Sequence, residues 1–439
     1  MAASSDSFSL PTELWRLVFD CLQADKDNRS LSVLTRTCKF FRELVLPDLY
    51  GKFETYPDSV GQDESGQSLV LFLRTVAENP DLACIVKELD IGYEDDINGG
   101  GQLREYEMEL VVDICFRLGW QNPQLLSLNT SSQPAKCFRT VSELLFSLLP
   151  NLNTASLDVL HENECGQETP SSYAVESLTA LKLRDWGFKG GFSMGGYGRL
   201  MQAAVNLQHL TLDSCKSIGD QPPPANLREL HIVCGGIQYH DLTKFLRGLP
   251  HLESFKYISS MEIGSQNEAT PAEIVAALQP GKETLKLLEI DFERSLQMYF
   301  RYFHNHYGSR QECIRTLQDF PQLQWIKLSQ DAIFRPDGPG VLTDGTLLTA
   351  LFPPSLNALY LLNNHRKLFE DVFQFADAVA EGKFPNLRSV WLSGKPAPWY
   401  HKLASHASGT KHEEFSEEEE KDVAGYFALA GVEFVYGCY

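Results

Sequence analysis

The sequence predicts an α/β repeat protein: three short helices at the N-terminus, then an irregular solenoid in which a curved parallel sheet carries helices and loops on its convex side. Three observations predict it. One six-residue phrase of apolar and variable positions recurs from Val86 onwards. Several stretches between its copies have the apolar spacing of helices. The chain before the first copy opens with three short apolar segments of helical period, set apart by polar turns. At 439 residues and 43% hydrophobic content the chain is long enough for such an array, and its composition is ordinary for a globular protein.

The first helix is read from "LPTELWRLVFDCL", Leu10 to Leu22. Pro11 is tolerated at a helix start, and the carboxylate of Glu13 in the first turn favours the positive end of the helix dipole. Its apolar residues are too many for one face. At ~100° per residue, Leu14, Trp15, Leu17, Val18, Phe19, Cys21 and Leu22 cover roughly 200° of arc, where an ordinary surface helix needs somewhat over ~100°. After a polar turn, Leu31, Leu34 and Cys38 follow at helical spacing, then Phe41, Leu44 and Leu46, with Pro47 closing the segment. Three helices this short bury little surface and are marginal alone. The surplus apolar surface on the first helix is best explained by a partner that completes the core.

These residues resemble the F-box. Leu10, Pro11, Glu13, Leu14, Val18, Phe19 and Leu22 match its opening pattern. Leu31, Leu34, Cys38, Phe41, Arg42, Leu44, Pro47, Leu49 and Tyr50 match its second half. The resemblance implies an F-box over residues 1–52 that docks on the Skp adaptor of a cullin-based (SCF) ubiquitin ligase. The implied adaptor-binding residues are Leu10, Pro11, Glu13, Leu14, Val18, Phe19, Leu22, Leu34, Cys38 and Phe41. The next stretch, "LVLFLRTVAENPDLACIVKELDI" (Leu69–Ile91), looks like the first linking helix and strand of fungal F-box proteins with degenerate leucine-rich repeats. A linking helix is therefore expected in residues 53–82.

The recurring phrase is an apolar residue, two variable ones, an apolar, a variable and an apolar one. It reads "VKELDI" (Val86), "LTALKL" (Leu178), "LQHLTL" (Leu207), "LRELHI" (Leu227), "LESFKY" (Leu252), "LKLLEI" (Leu285), "LQWIKL" (Leu323), "LNALYL" (Leu356) and "LRSVWL" (Leu387), with a weaker "LNTASL" at Leu152. Alternation over its last three positions makes a short strand with one buried face. Between copies lie helical patterns such as "DLTKFLRGL" (Asp241–Leu249) and "PAEIVAALQ" (Pro271–Gln279). No unit buries its own apolar side, so units must stack. The phrase resembles the strand segment of leucine-rich repeats, which implies such a domain over residues 83–439. Its central residues, Leu181 to Val390, are 20 to 38 positions apart, against ~20–29 in regular repeats, so loops of uneven length are expected. "DWGFKGGFSMGGYG" (Asp185–Gly198) and the acidic "HASGTKHEEFSEEEEKD" (His406–Asp422) read as loops, and "VAGYFALAGV" (Val423–Val432) as a buried terminal helix and strand.

The net charge of −20 argues against nonspecific nucleic-acid binding and against docking on anionic membranes. The N-terminus has no signal-peptide pattern, and no apolar run reaches ~18 residues. The ten cysteines form no C-x-x-C pair, so reduced thiols in the cytoplasm or nucleus are expected. No catalytic constellation is legible. "FHNHYG" offers His304 and His306 with only Cys313 nearby, "SMGGYG" lacks the residues of a phosphate loop, and "YEDDINGGG" lacks the ligand alternation of a calcium loop. No cofactor or metal is implied. The expected function is that of a non-catalytic substrate-recognition subunit that binds the adaptor and, through it, a cullin, and captures a protein substrate with the repeats. The alternative is a repeat scaffold outside ubiquitin transfer. Outward strand positions run from Lys182 and Arg184 through Glu289 and Asp291 to an apolar group, Tyr360, Leu362 and Trp391, the expected substrate-binding residues.

Overall fold

The computed structural model describes residues 11–24, 28–55, 64–92, 105–118, 134–159, 175–185, 191–259, 268–292, 313–334, 345–362, 368–393 and 416–437. They form two compact units. One comprises Met1–Asp158 with Glu168–Thr179, the other Val159–Gln167 with Ala180–Tyr439. The sequence-expected boundaries at residues 52 and 82 both fall within the first.

The first unit begins with α1 (Thr12–Ala24), α2 (Asn28–Thr35) and α3 (Lys39–Tyr50). Each contributes one fully buried residue to a shared core: Phe19, Leu31 and Val45. Trp15, Leu22, Leu34, Phe41, Leu44 and Leu49 pack around them. Three rings fix the crossing. Trp15 meets Phe41 edge-on at 4.8 Å between centroids, and Phe19 lies 6.1 Å from each. Edge-to-face geometry sets the positive rim of one ring against the negative face of the next. Pro47 does not close the segment as expected but lies inside α3. It sits in the last turn, where its missing N–H forgoes one intrahelical bond, and Gly51 N–H still donates to its carbonyl at 2.8 Å.

Three parallel strands follow in the same unit: β1 (Lys52–Thr55), β2 (Glu88–Ile91) and β3 (Thr154–Asp158), paired Phe53↔Leu89↔Ala155. The copies "VKELDI" and "LNTASL" are thus strands. β1 is no copy of the phrase, and it occupies the start of the expected linking helix, which instead begins at Glu64 as α4 (Glu64–Glu78). Two side-chain contacts hold this extra strand. The Phe53 ring stacks flat on Phe72 of α4 at 3.8 Å, and Thr55 Oγ1 accepts from Gly92 N–H at 2.8 Å. The helices α5 (Pro80–Ala83), α6 (Glu105–Arg117) and α7 (Pro134–Leu148) complete the unit.

In the second unit every remaining copy of the phrase is a strand. β4 (Ala180–Arg184), β6 (His209–Asp213), β8 (Glu229–Gly235), β9 (Ser254–Ser259), β10 (Leu287–Asp291), β11 (Trp325–Ser329), β12 (Ala358–Leu362), β13 (Ser389–Ser393) and β14 (Glu433–Gly437) lie in that order in one parallel sheet. The register joins like with like: Leu181, Leu210, Leu230, Phe255, Leu288, Ile326, Leu359, Val390 and Phe434 form one row. The leading apolar residue of each of these phrases from Leu207 to Leu387 is buried. This is a mixed α/β fold with a long parallel sheet, consistent with a leucine-rich-repeat-like solenoid. A short parallel pair, β5 (Phe192–Ser193) with β7 (Cys215–Ser217), lies outside the main sheet.

Two expected loops contain structure. The described part of the Gly-rich segment forms β5 and a 3₁₀ turn, because Phe192 and Met194 are buried and Ser193 Oγ caps Gly195 N–H. The acidic run Glu417–Glu420 is the first turn of the last helix, Glu417–Leu429. Ser416 and Glu419 form a reciprocal capping box there, and carboxylates suit the positive helix end. The terminal strand lies beyond Val432, at β14.

Truncating Phe19 to Ala is expected to destabilise the first unit by about 3–5 kcal/mol, while Leu14→Ala, on the exposed side of the same helix, changes it by less than about 0.5 kcal/mol. Urea titrations followed by tryptophan fluorescence check this, since Trp15 packs beside Phe19. Equal effects of the two substitutions would contradict the assignment of α1's buried face.

Candidate protein-interaction surfaces

The surplus apolar arc of α1 divides into two adjoining stripes. Trp15, Phe19 and Leu22 face the three-helix core. Leu14, Leu17, Val18 and Cys21, at the i, i+3, i+4, i+7 spacing of one helix face, are exposed, with Leu14 and Val18 at 45% and Leu17 at 59%. A helix that needed only its own core would carry polar residues there. Of the expected docking residues, Pro11, Glu13, Leu14, Val18 and Cys38 lie on the surface. Leu22, Leu34 and Phe41 are half-buried against the core, and Phe19 is wholly inside it. Phe19 therefore acts on any docking surface only by holding α1 in place. Leu10 lies outside the described residues. Beside Cys38 a cleft is lined by Arg36, Lys39 and Arg42 together with Tyr50 and Leu82.

The second surface is the open face of the long sheet. The residue between the two core positions of each phrase forms a row: Lys182, Thr211, His231, Lys256, Glu289, Lys327, Tyr360, Trp391 and Val435. Such neighbours are ~4.8 Å apart, so unlike charges pair across strands. Lys256 Nζ lies 3.1 Å from one Glu289 carboxylate oxygen and Lys327 Nζ 2.9 Å from the other. In the adjacent row His209 Nδ1 is 3.0 Å from Glu229. Burial holds the His231 imidazole below its ordinary pKa, which keeps it neutral beside Lys256.

The expected apolar group is brought together. Tyr360 stacks on Trp391 with ring centroids 5.5 Å apart. Leu362 lies one outward position further along β12 and is half-buried. Trp325, which the sequence reading left out, extends the group to a third strand, its ring 5.0 Å from Tyr360. It precedes the central core residue of "LQWIKL", so the same alternation that placed Tyr360 outward also places Trp325 outward. The signal lies two positions earlier in the phrase, at the outward position before the central core residue.

Among the described residues no group of three His, Cys, Asp or Glu residues is placed to hold a metal ion. His304 and His306 lie outside them. No described helix is long and apolar enough to cross a membrane.

No family model matches the chain, and no curated protein is similar to it. Among solved structures it is similar to the crystal structure of an internalin (inlF) from Listeria monocytogenes str. 4b F2365, at 14% identity over 66% of this chain and 69% of that one, with a TM-score of 0.30. The fold assignment rests on the strand register itself.

One carboxyl group bound on the buried side of β9 responds to pH. Glu268 accepts hydrogen bonds at Oε1 from Tyr257 Oη (2.9 Å) and Ser259 Oγ (2.8 Å). Burial outweighs these bonds and pushes its pKa up from 4.5 to about 7. The folded chain thus keeps a proton that the unfolded chain has released, and its contribution to stability is lost as pH rises from 4.5 to about 7. Glu268→Gln retains the acceptor oxygen without the titration. The stability difference between variant and wild type should shift in the variant's favour between pH 5 and pH 7.5, read by urea unfolding at each pH. A difference that does not change with pH would show that Glu268 is ionised throughout.

Proposed function

We propose that the chain is a non-catalytic substrate-recognition subunit of an SCF-type ubiquitin ligase. In this reading the exposed stripe of α1 docks on the Skp adaptor, and through it a cullin, while the open sheet face captures a protein substrate. Such a subunit makes no bonds. It raises the effective concentration of substrate at the transfer machinery by binding both at once. The observation that carries the reading is the stripe Leu14, Leu17, Val18 and Cys21, an apolar face left over after α1 has filled its own core. Two of its four residues, Leu14 and Val18, are positions of the F-box resemblance, and a partner that covers the stripe removes apolar area from water. The ring group of Trp325, Tyr360 and Trp391 supports the second half. Rigid aromatic side chains bury much area with few rotamers to freeze, which is what binding hot spots need.

Co-purification of the tagged full chain with the Skp adaptor and cullin tests the reading. Leu14→Asp with Val18→Asp should abolish capture and leave the thermal melt unchanged, because both side chains are exposed and the charge is buried only in the complex. Trp391→Ala should leave adaptor capture intact and weaken substrate capture by about 2 kcal/mol or more. Failure of the wild-type chain to retain the adaptor would leave a repeat scaffold outside ubiquitin transfer.

A further inference from the structure

The ion triad and the ring group adjoin on one face, from β9 to β13. Their exposures differ in a way that selects a ligand. The Glu289 side chain is only 7% exposed, whereas Lys256 and Lys327 are 27% and 29% exposed. A partner approaching the face therefore meets two ammonium groups with the carboxylate beneath them. The triad carries a net single positive charge in a chain whose total is −20. Each ammonium has three donors, and its ion pair with Glu289 engages at most one of them.

We propose that this strip docks an extended peptide segment of a partner protein that carries an acidic side chain and, three or four residues away, a proline or large apolar side chain. This inference rests on the reading of the open face as a binding surface and names the class of segment it takes. The acidic group sits over Lys256 and Lys327 and adds charge-assisted hydrogen bonds to donors that Glu289 leaves available. The apolar side chain lies on Tyr360 and Trp391. The spacing follows from the sheet. Glu289 on β10 and Trp391 on β13 are three inter-strand steps apart, about 14 Å, and an extended chain covers that in about four residues. A basic segment is repelled by the two ammonium groups. A wholly apolar one strips their water without replacing it.

The test is selection of a random twelve-residue phage-displayed library on the immobilised full chain, followed by fluorescence anisotropy of a selected peptide at rising salt. Selected peptides should carry Asp or Glu three or four residues from Pro, Trp, Phe or Leu. The triple variant Lys256→Gln, Glu289→Gln, Lys327→Gln leaves no buried charge unpaired, and its thermal melt checks folding. It should weaken binding at least about tenfold and remove its salt dependence. Trp391→Ala should weaken binding at least about tenfold and keep the salt dependence. Should the triple variant not fold, Glu289→Gln alone exposes two uncompensated ammonium groups and should tighten binding of the acidic peptide; unchanged or weaker binding overturns the proposal. Peptides that respond to Trp391→Ala but lack an acidic residue, or ignore the triple variant, overturn the acidic class while leaving the face a binding surface. Peptides indifferent to every variant, or no selected peptides, overturn both.

Discussion

One hydrogen-bonding arrangement sets the register on which the long sheet depends. The carbonyl just before a strand accepts the N–H groups of two successive residues at the start of the next. Gln208 O accepts from Arg228 and Glu229, Glu253 O from Lys286 and Leu287, and Lys286 O from Gln324 and Trp325. Gln324 O accepts from Asn357 and Ala358, and Asn357 O from Arg388 and Ser389. In the first unit Gly51 O and Lys87 O do the same for their neighbours. A strand that slipped by one residue would lose this pair of bonds and turn its apolar residues outward. The arrangement fixes where each strand starts and is indifferent to how much chain returns between strands. Loops of very different length can therefore feed one sheet, since lengthening a loop costs little entropy.

That indifference explains which parts of the fold were legible. Every copy of the phrase became a strand, because apolar positions at fixed offsets are a local signal of buried register. The elements missed were those held by something other than the phrase. β1 is fixed by Phe53 stacking on Phe72 across a stretch of chain that no local pattern spans. β14 begins its phrase at Gly431, where the other copies have a large apolar residue, so only its later positions match. The charge of Glu417–Glu420 suggests a solvated loop, but the capping residues that precede and share it start a helix. Ser416 with Glu419 was the better signal.

The site residues divide along the same line. Alternation alone sets Tyr360, Leu362 and Trp391 at outward positions, and the same rule governs Trp325. On α1 the sequence showed too much apolar arc but not its division. At ~100° per residue the core-facing Trp15, Phe19 and Leu22 and the exposed Leu14, Leu17, Val18 and Cys21 fill adjoining sectors, and nothing in residue type separates them. The division is tertiary. It is decided by where Leu31 of α2 and Val45 of α3 meet the helix, and so by the ring contacts of Phe41.

The open face shows how stability constrains the residues available for binding. Strand spacing brings side chains of one row close enough that like charges in succession would repel. Lys256, Glu289 and Lys327 alternate in sign, and the half-buried His231 next to Lys256 is held neutral. This stretch is explained by the sheet's own needs. The rings that follow are not. Tyr360 and Trp391 gain from stacking, yet Thr211 shows that the row accepts a small polar side chain at no cost in register. Large rings on three successive strands thus exceed what pairing requires, as the second stripe of α1 exceeds what its core requires. In both places the surplus is apolar, lies on a regular element and keeps water contact, and it is this surplus that the proposed partners would cover.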